Sequence, residues 1–300
     1  MAYTVNALPD YVEQNRLPLL AASVLKGKTV EVINRQSGIK GKAALNIVDG
    51  TAPFQAGNTC GFNASGNDTF SQRVIETVMV KVEKEWCWKN LIGKWAEYEY
   101  RVVAGEKTLA FEEFFLNEIA KEIAAEIETI IWQGNATLGI AGLLGNFTAA
   151  SGSIQNPSGS SDYNKVMEVY NAIPEAVLDK AVIFVSPATF RGFVQGVVSA
   201  NLYHYNPEAP IDEVIIPGTN TRVIKVNGLM GATSGNNENL MLAADPMNLV
   251  YGYDVEDSAE ALDVWYSKDN DSIRLRMTTN IGTQIAFPSE VVVFGTLRSE

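Results

Sequence analysis

Residues 108–133 read TLAFEEFFLNEIAKEIAAEIETIIWQ, the one long, uninterrupted helical pattern in the sequence. Leu116, Ile119, Ala120, Ile123, Ala124, Ile127, Ile130 and Ile131 recur at three- and four-residue steps and so share one stripe of a 3.6-residue period. Glu118, Lys121, Glu122, Glu126 and Glu128 are assigned to positions outside that stripe. Thr108 is placed to cap the start. Glu112 and Glu113 sit where the positive end of the helix dipole favours carboxylates, and Gly134 supplies the stop. At 1.5 Å per residue such a helix runs about 39 Å. That is longer than a compact core requires, which predicts that it lies along an elongated body. Phe111 and Phe114 point off the stripe, so a second piece of chain is expected to cross the first turns.

Around this helix, composition sets the class. The chain has 300 residues, 46% of them apolar and 19% charged, which describes a folded chain with a sizeable core, not a disordered one. The opening MAYTVNALPDYVEQNRLP lacks a basic segment followed by an apolar run, so no signal peptide is expected, and no apolar run approaches the ~20 residues that span a bilayer. Cys60 and Cys87 are too few for a disulfide framework, which fits a reducing cytosol and leaves the sequons at Asn63, Asn67, Asn135 and Asn146 without meaning. Charge is uneven. Residues 1–107 carry 13 Lys/Arg against 11 Asp/Glu, and residues 108–300 carry 10 against 24. An acidic body argues against gripping nucleic acid, where phosphate neutralisation drives binding. Lys26, Lys28, Arg35, Lys40 and Lys42 form a basic exception, either a solvated strand face or a contact with acidic surface on a neighbouring copy.

Upstream of the helix, residues 1–25 read as an arm. Pro9 and Pro18 break helices, and Leu17, Leu19, Leu20, Val24 and Leu25 follow no clean period, so the arm must pack on its own domain or on another subunit. Thr29–Ile33 alternates like a short strand. A strand-like run at Ala43–Val48 and a strongly alternating one at Val74–Val82 predict a long hairpin whose Gly/Asn-rich tip spans roughly twenty residues. A tip that long marks an interaction loop, and a bare protruding hairpin is an edge-pairing hazard unless a partner covers it. Trp86, Trp88, Trp95, Tyr98 and Tyr100 follow, as a buried seam or as an aromatic stack for sugars or bases.

Downstream, GNATLGIAGLLGN is a turn that brings the chain back along the helix, and 148–161 is a flexible connector and the best boundary. Asp162 caps a helix carrying Val166, Val169, Tyr170 and Ile173; Ala181–Val185 is a buried strand; Ser186-Pro187 caps and starts another helix. That order suggests an α/β unit. Loops then flank one strand, Arg222–Val226. Five runs follow, Leu240–Ala243, Leu249–Tyr253, Ala261–Tyr266, Ile273–Thr279 and Val291–Phe294, read as an antiparallel meander with Arg274, Arg276 and Thr278 on one face.

Chemistry is scarce. The single histidine, His204, has no evident partner in Cys60 or Cys87, and one His with two dispersed Cys cannot make a structural zinc set. GxSxG, HExxH, GxGxxG and GxxxxGK[ST] are all absent. Asp254, Glu256, Asp257, Glu260 and Asp263 lack calcium-loop spacing and read as a solvated face. No catalytic, cofactor or metal residue is assigned, and the chain is expected not to be an enzyme.

The succession of pieces resembles the HK97-fold major capsid protein of tailed bacteriophages. VIFVSPATFRGF is similar to that family's strand–turn–helix at the start of its axial domain, and RVIKVNGLM looks like the following strand and turn. LAADPMNLVYGYDVED resembles the return to the peripheral domain, and RMTTNIGTQIAFPSEVVVF the closing strands. The resemblance covers nearly the whole chain, in order more than in invariant residues. It implies an α+β, HK97-like fold: an N-terminal arm at 1–28, an E-loop hairpin region at 29–90, and a peripheral domain at 91–161 with a spine helix at 108–133. An axial domain would occupy 162–250 and peripheral return strands 251–300. The implied function is a shell subunit assembling as pentamers and hexamers into an icosahedral capsid around double-stranded DNA that it does not bind specifically. Arm, hairpin and aromatic seam would be buried on other copies. Scaffolding, portal and decoration proteins are the further partners implied, and the virion the location, after assembly in the host cytoplasm. The opening residues do not read as the long, charged, helical extension that serves some members as a scaffold, so an added scaffolding protein, or none, is expected. Lys40 and Lys42 lie on the E-loop, but no cross-linking partner is identified. The alternatives are an encapsulin-type compartment in the same fold and, from another class, a carbohydrate-binding or adhesion module.

Overall fold

The computed structural model describes residues 27–50, 52–55, 65–87, 111–147, 153–155, 161–202, 212–230, 240–254 and 262–294, with single positions of the arm (8, 9, 11–13, 15, 19 and 24) and of 89–96 (89, 90, 93, 94 and 96). The long helix forms as its period predicts, over Phe111–Gln133 (α2), and a single turn at Leu143–Asn146 (α3) follows it. All eight stripe residues are buried, each worth about 1.5–3 kcal/mol for the larger side chains. Gly134 ends the helix at φ +73°, its amide still bonded to the Ile130 carbonyl at 2.8 Å. The cap expected at Thr108 lies outside the described residues.

Two sheets pack on this helix. The first runs β1 (Asn34–Gln36), β10 (Leu249–Asp254), β12 (Ser272–Ile285), β11 (Leu262–Ser267), and β4 (Val78–Cys87) pairs the other edge of β12. Ile273, Leu275, Met277, Ile281 and Ile285 of β12 turn inward to the helix, while Arg274, Arg276 and Thr278 turn out. The second has the order β5 (Ser153–Gln155), β13 (Val292–Phe294), β9 (Met241–Ala244), β6 (Val182–Val185), β8 (Arg222–Lys225), β7 (Glu213–Ile215). Its strands are apolar on both faces because both faces are covered. Val182, Phe184, Ile224, Leu242 and Val293 enter the core shared with α2. Ile183, Val185, Val223, Ala243 and Phe294 enter a second core under α4 (Asp162–Ala172) and α5 (Pro187–Ser199). The parallel pair β6 and β8 needs a crossover, and α5 supplies it.

Several expectations are corrected. Thr29–Ile33 is not a strand: Lys28–Val32 forms one helical turn (α1), because tertiary hydrogen bonds to Glu128 outweigh the β preference of Thr and Val. The run Val74–Val82 is two strands. β3 (Asp68–Glu76) ends before Thr77 and β4 begins after it; Ile75 and Thr77 point inward, then Val78, Val80 and Val82 do, so the alternation slips by one residue. The five closing runs are no meander, since β9 and β13 belong to the second sheet and β10, β11 and β12 to the first. The presumed connector 148–161 contributes β5, paired in parallel with β13. Ser161, not Asp162, caps α4, its hydroxyl accepting from the Asn164 amide at 3.3 Å.

Candidate assembly surface

β2 (Lys42–Gly50) and β3 make a two-stranded ladder of their own, from Lys42↔Glu76 out to Gly50↔Asp68. Nine pairs at about 3.4 Å each give a reach of about 30 Å. Thr77 fixes its base. The Thr77 amide donates to the Gly41 carbonyl at 2.7 Å, its hydroxyl accepts from the Gly41 amide at 3.0 Å and donates to the Ile39 carbonyl at 2.9 Å. Ile75 is fully buried beside Ile39 and Val250. Gln284 Nε2 donates to the Val74 carbonyl at 2.7 Å. Gly282 is where β12 must lack a side chain: a Cβ there would come within 2.1 Å of the Glu76 carbonyl oxygen.

The outer face of the ladder alternates polar and apolar pairs. Lys42 and Glu76 meet at 3.2 Å, Ala44 faces Val74, Gln72 Nε2 donates to Asn46 Oδ1 at 2.8 Å, and Val48 faces Phe70. Phe70 is 76% exposed and Val48 60%, and Phe54 beyond them is fully exposed. Large apolar side chains held in water by an ordered ladder mark an interaction surface. Among the described residues, β2 and β3 pair only with each other, so the ladder presents open edges.

β4, the continuation of this hairpin, is treated differently. On its outer face Arg276 meets Glu83 at 2.9 Å and Arg274 meets Glu85 at 3.0 Å, while the Arg276 guanidinium lies 5.5 Å from the Trp265 ring centre. Hydrogen bonding from Lys81, with Arg276, holds the Glu83 carboxyl below the usual carboxylate range; the Ser272 hydroxyl, with Arg274, does so for Glu85. Its inner face, with α2, borders a groove of about 290 Å³ lined by Val80, Val82, Ile123, Ile127, Ile130 and Met277.

The arm does not behave as the hairpin does. Leu8, Val12, Leu19 and Val24 are buried in the core formed by α2 and the sheets. At these described positions the arm finds its burial within the chain rather than on another copy. Leu17, Leu20 and Leu25 lie outside the described residues. Trp86 packs edge-on against Phe115 with ring centres 5.1 Å apart, so β4 is a piece of chain that crosses the first turns of α2. Trp88, Trp95, Tyr98, Tyr100, His204 and Cys60 lie outside the described residues, and Cys87 is exposed at the end of β4.

The basic cluster is not one strand face. Lys28 is on α1, Arg35 on β1, Lys40 meets Asp254 at 3.7 Å and Lys42 meets Glu76, while Lys26 lies outside the described residues. Asp254 is buried on β10 and Asp263 is exposed on β11; Glu256, Asp257 and Glu260 are outside the described residues. Among the described residues no three His, Cys, Asp or Glu gather as a metal site, and no helix is long and apolar enough to cross a membrane. Glu128, assigned away from the stripe, is buried at 7% exposure. The signal was present: 128 is four residues after Ala124 and three before Ile131, hence on the stripe's margin.

No protein-family description and no curated protein matches the chain. Solved structures do. A chain of the satellite phage P4 procapsid that includes size determination (Sid) protein is 15% identical, with a TM-score of 0.59 over 99% of this chain and 93% of that one. A chain from the capsid of an empty GTA particle is 10% identical, TM-score 0.59, over 92% and 90%. A chain of the virus-like particle from Pyrococcus furiosus is 10% identical, TM-score 0.52, over 94% and 98%. The chain therefore has the fold of capsid chains along almost its whole length.

Proposed function

We propose that this chain is the major shell subunit of a tailed phage, an HK97-like protein of which many copies tile as pentamers and hexamers into an icosahedral capsid enclosing double-stranded DNA. The observation that carries this is the shared fold with capsid chains over nine-tenths or more of both partners. In this reading β2 and β3 with their tip are the E-loop, α2 is the spine helix, the first sheet belongs to the peripheral domain, and the second sheet with α4 and α5 is the axial domain. The exposed Val48, Phe54 and Phe70 are then the part of the subunit that a neighbouring copy covers. The role is structural and non-enzymatic. Scaffolding, portal and decoration proteins, virion location and assembly in the host cytoplasm belong to the same proposal.

A second reading, an encapsulin-type compartment filled by a protein cargo, rests on the likeness to the Pyrococcus furiosus particle. Negative-stain microscopy of the expressed protein tests both. Closed shells are expected, and deletion of residues 50–70 is expected to leave a folded subunit that builds none. Normal shells from the deletion variant would refute the E-loop assignment; a monomer at high concentration would refute the shell. Particles purified with nucleic acid favour the phage reading, and small particles filled with protein favour the compartment.

A further inference from the structure

In the C-terminal third of the spine helix, one carboxylate meets segments from two distant parts of the chain. The Lys28 amide donates to Glu128 Oε2 at 3.2 Å and the Thr29 hydroxyl donates to Oε1 at 3.3 Å. The backbone amides of Asn227 and Gly228, in the 3-10 turn Asn227–Leu229 that follows β8, lie near enough to the same carboxylate to favour its charged form. Trp132, one turn along, donates from Nε1 to the Thr29 oxygen at 2.7 Å and lies against Phe184 of β6 with ring centres 5.2 Å apart. Gln133 Nε2 donates to the carbonyls of Gly228 and Met230 at 2.8 and 2.9 Å. The approach requires Gly228, because a Cβ there would come within 2.4 Å of the Glu128 carbonyl oxygen and 2.5 Å of the Trp132 ring.

A charged side chain is rarely buried unless its hydrogen bonds are filled, and here every donor facing it comes from a segment about a hundred residues away in sequence. Removing the carboxylate would leave the Lys28 amide and the Thr29 hydroxyl without this acceptor, and the turn at Asn227–Gly228 without the charge it faces. The segments it holds are the start of the arm's return to the body and the turn that leaves the second sheet. Thr29 and Gln133 supply the other hydrogen bonds of these segments to the helix.

We propose that Glu128 is a three-way latch, its carboxylate clamping α1 and the turn after β8 onto the spine helix, so that this one side chain sets how readily the arm and the axial domain lift from it. The latch is a property of the single chain. Its use, freeing the arm or letting the axial domain rotate while copies join, rests on the shell reading.

Hydrogen–deuterium exchange on the full-length subunit tests it, comparing wild type with Glu128→Ala and Thr29→Val. In Glu128→Ala the peptides containing residues 28–33 and 227–230 should exchange about tenfold faster or more, while those in β12 keep their wild-type rates. In Thr29→Val the increase should be confined to 28–33. Unchanged exchange at both segments in a folded Glu128→Ala protein overturns the latch, and so does an equal increase across β12, which would mean global loosening. Should Glu128→Ala fail to fold, Thr29→Val decides: faster exchange at 28–33 alone supports the clamp, and no change there overturns it. Whether the variants build shells is a separate readout; lost shells with unchanged exchange would count against the latch and leave the shell reading standing.

Discussion

The arm and the hairpin carry similar apolar side chains and meet opposite fates. Leu8, Val12, Leu19 and Val24 are buried against the long helix and the sheets of their own chain, whereas Val48 and Phe70 stand in water on a ladder locked at its base by Thr77, with Phe54 exposed beyond it. Both segments must bury apolar surface somewhere; only the folded chain reveals that these four arm residues already have. At its described positions the arm thus has its cover within the chain, and the outer face of the hairpin does not. Association between copies should depend on the hairpin face and folding on the arm.

The sharpest way to break that contrast is to truncate one apolar side chain in each region. Leu8→Ala empties a fully buried site and should cost about 2–5 kcal/mol in urea unfolding. Phe70→Ala removes an exposed ring and should change subunit stability by no more than about 0.5 kcal/mol. Equal losses from the two would show that the hairpin is buried within its own chain after all.

A smaller effect tests how the hairpin is seated. Gly282→Ala places a methyl group against the Glu76 backbone and should destabilise by about 1–3 kcal/mol, with the displacement concentrated at residues 74–77. Wild-type exchange rates at those residues would contradict the seating.

The pH dependence should be smaller still and of two signs. Burial raises the Glu128 carboxyl, so its contribution is fully present below the ordinary carboxylate value of about 4.3 and is lost as pH rises through the raised folded value. Glu83 and Glu85 are lowered, so their contribution is present above that value and is lost as pH falls through the depressed ones. Thermal melts across this window should show Glu128→Gln removing the loss on the alkaline side and Glu83→Gln a loss on the acid side. The opposite assignment would refute the burial of Glu128.

How far the fold was legible follows from which forces are local. The long helix was readable because eight stripe residues repeat a period that depends on the chain alone. The buried strand at Val182–Val185 and the Ser186-Pro187 start of α5 were readable for the same reason; the Ser186 hydroxyl accepts from the Thr189 amide three residues on. Failures came where the deciding partner was distant. Thr29–Ile33 looks like a strand until Glu128 supplies an acceptor from 99 or 100 residues away. Val74–Val82 reads as one strand because apolar residues fill both of its faces; the slip at Thr77 is set by Gly41 and Ile39. The closing strands are alike in composition, so nothing local assigns β13 to β9 and β12 to β4. For the assembly surface, a long hairpin with an interaction tip was legible, but which limb stays uncovered was not.

Analytical ultracentrifugation of Val48→Ser/Phe70→Ser beside wild type, at equal concentration, puts the central claim to the test. Shell-sized particles from wild type and only small species from the variant, with the same unfolding midpoint for both subunits, is the expected outcome. Shells from the variant in wild-type yield would contradict the claim that neighbouring copies meet through this face of the hairpin.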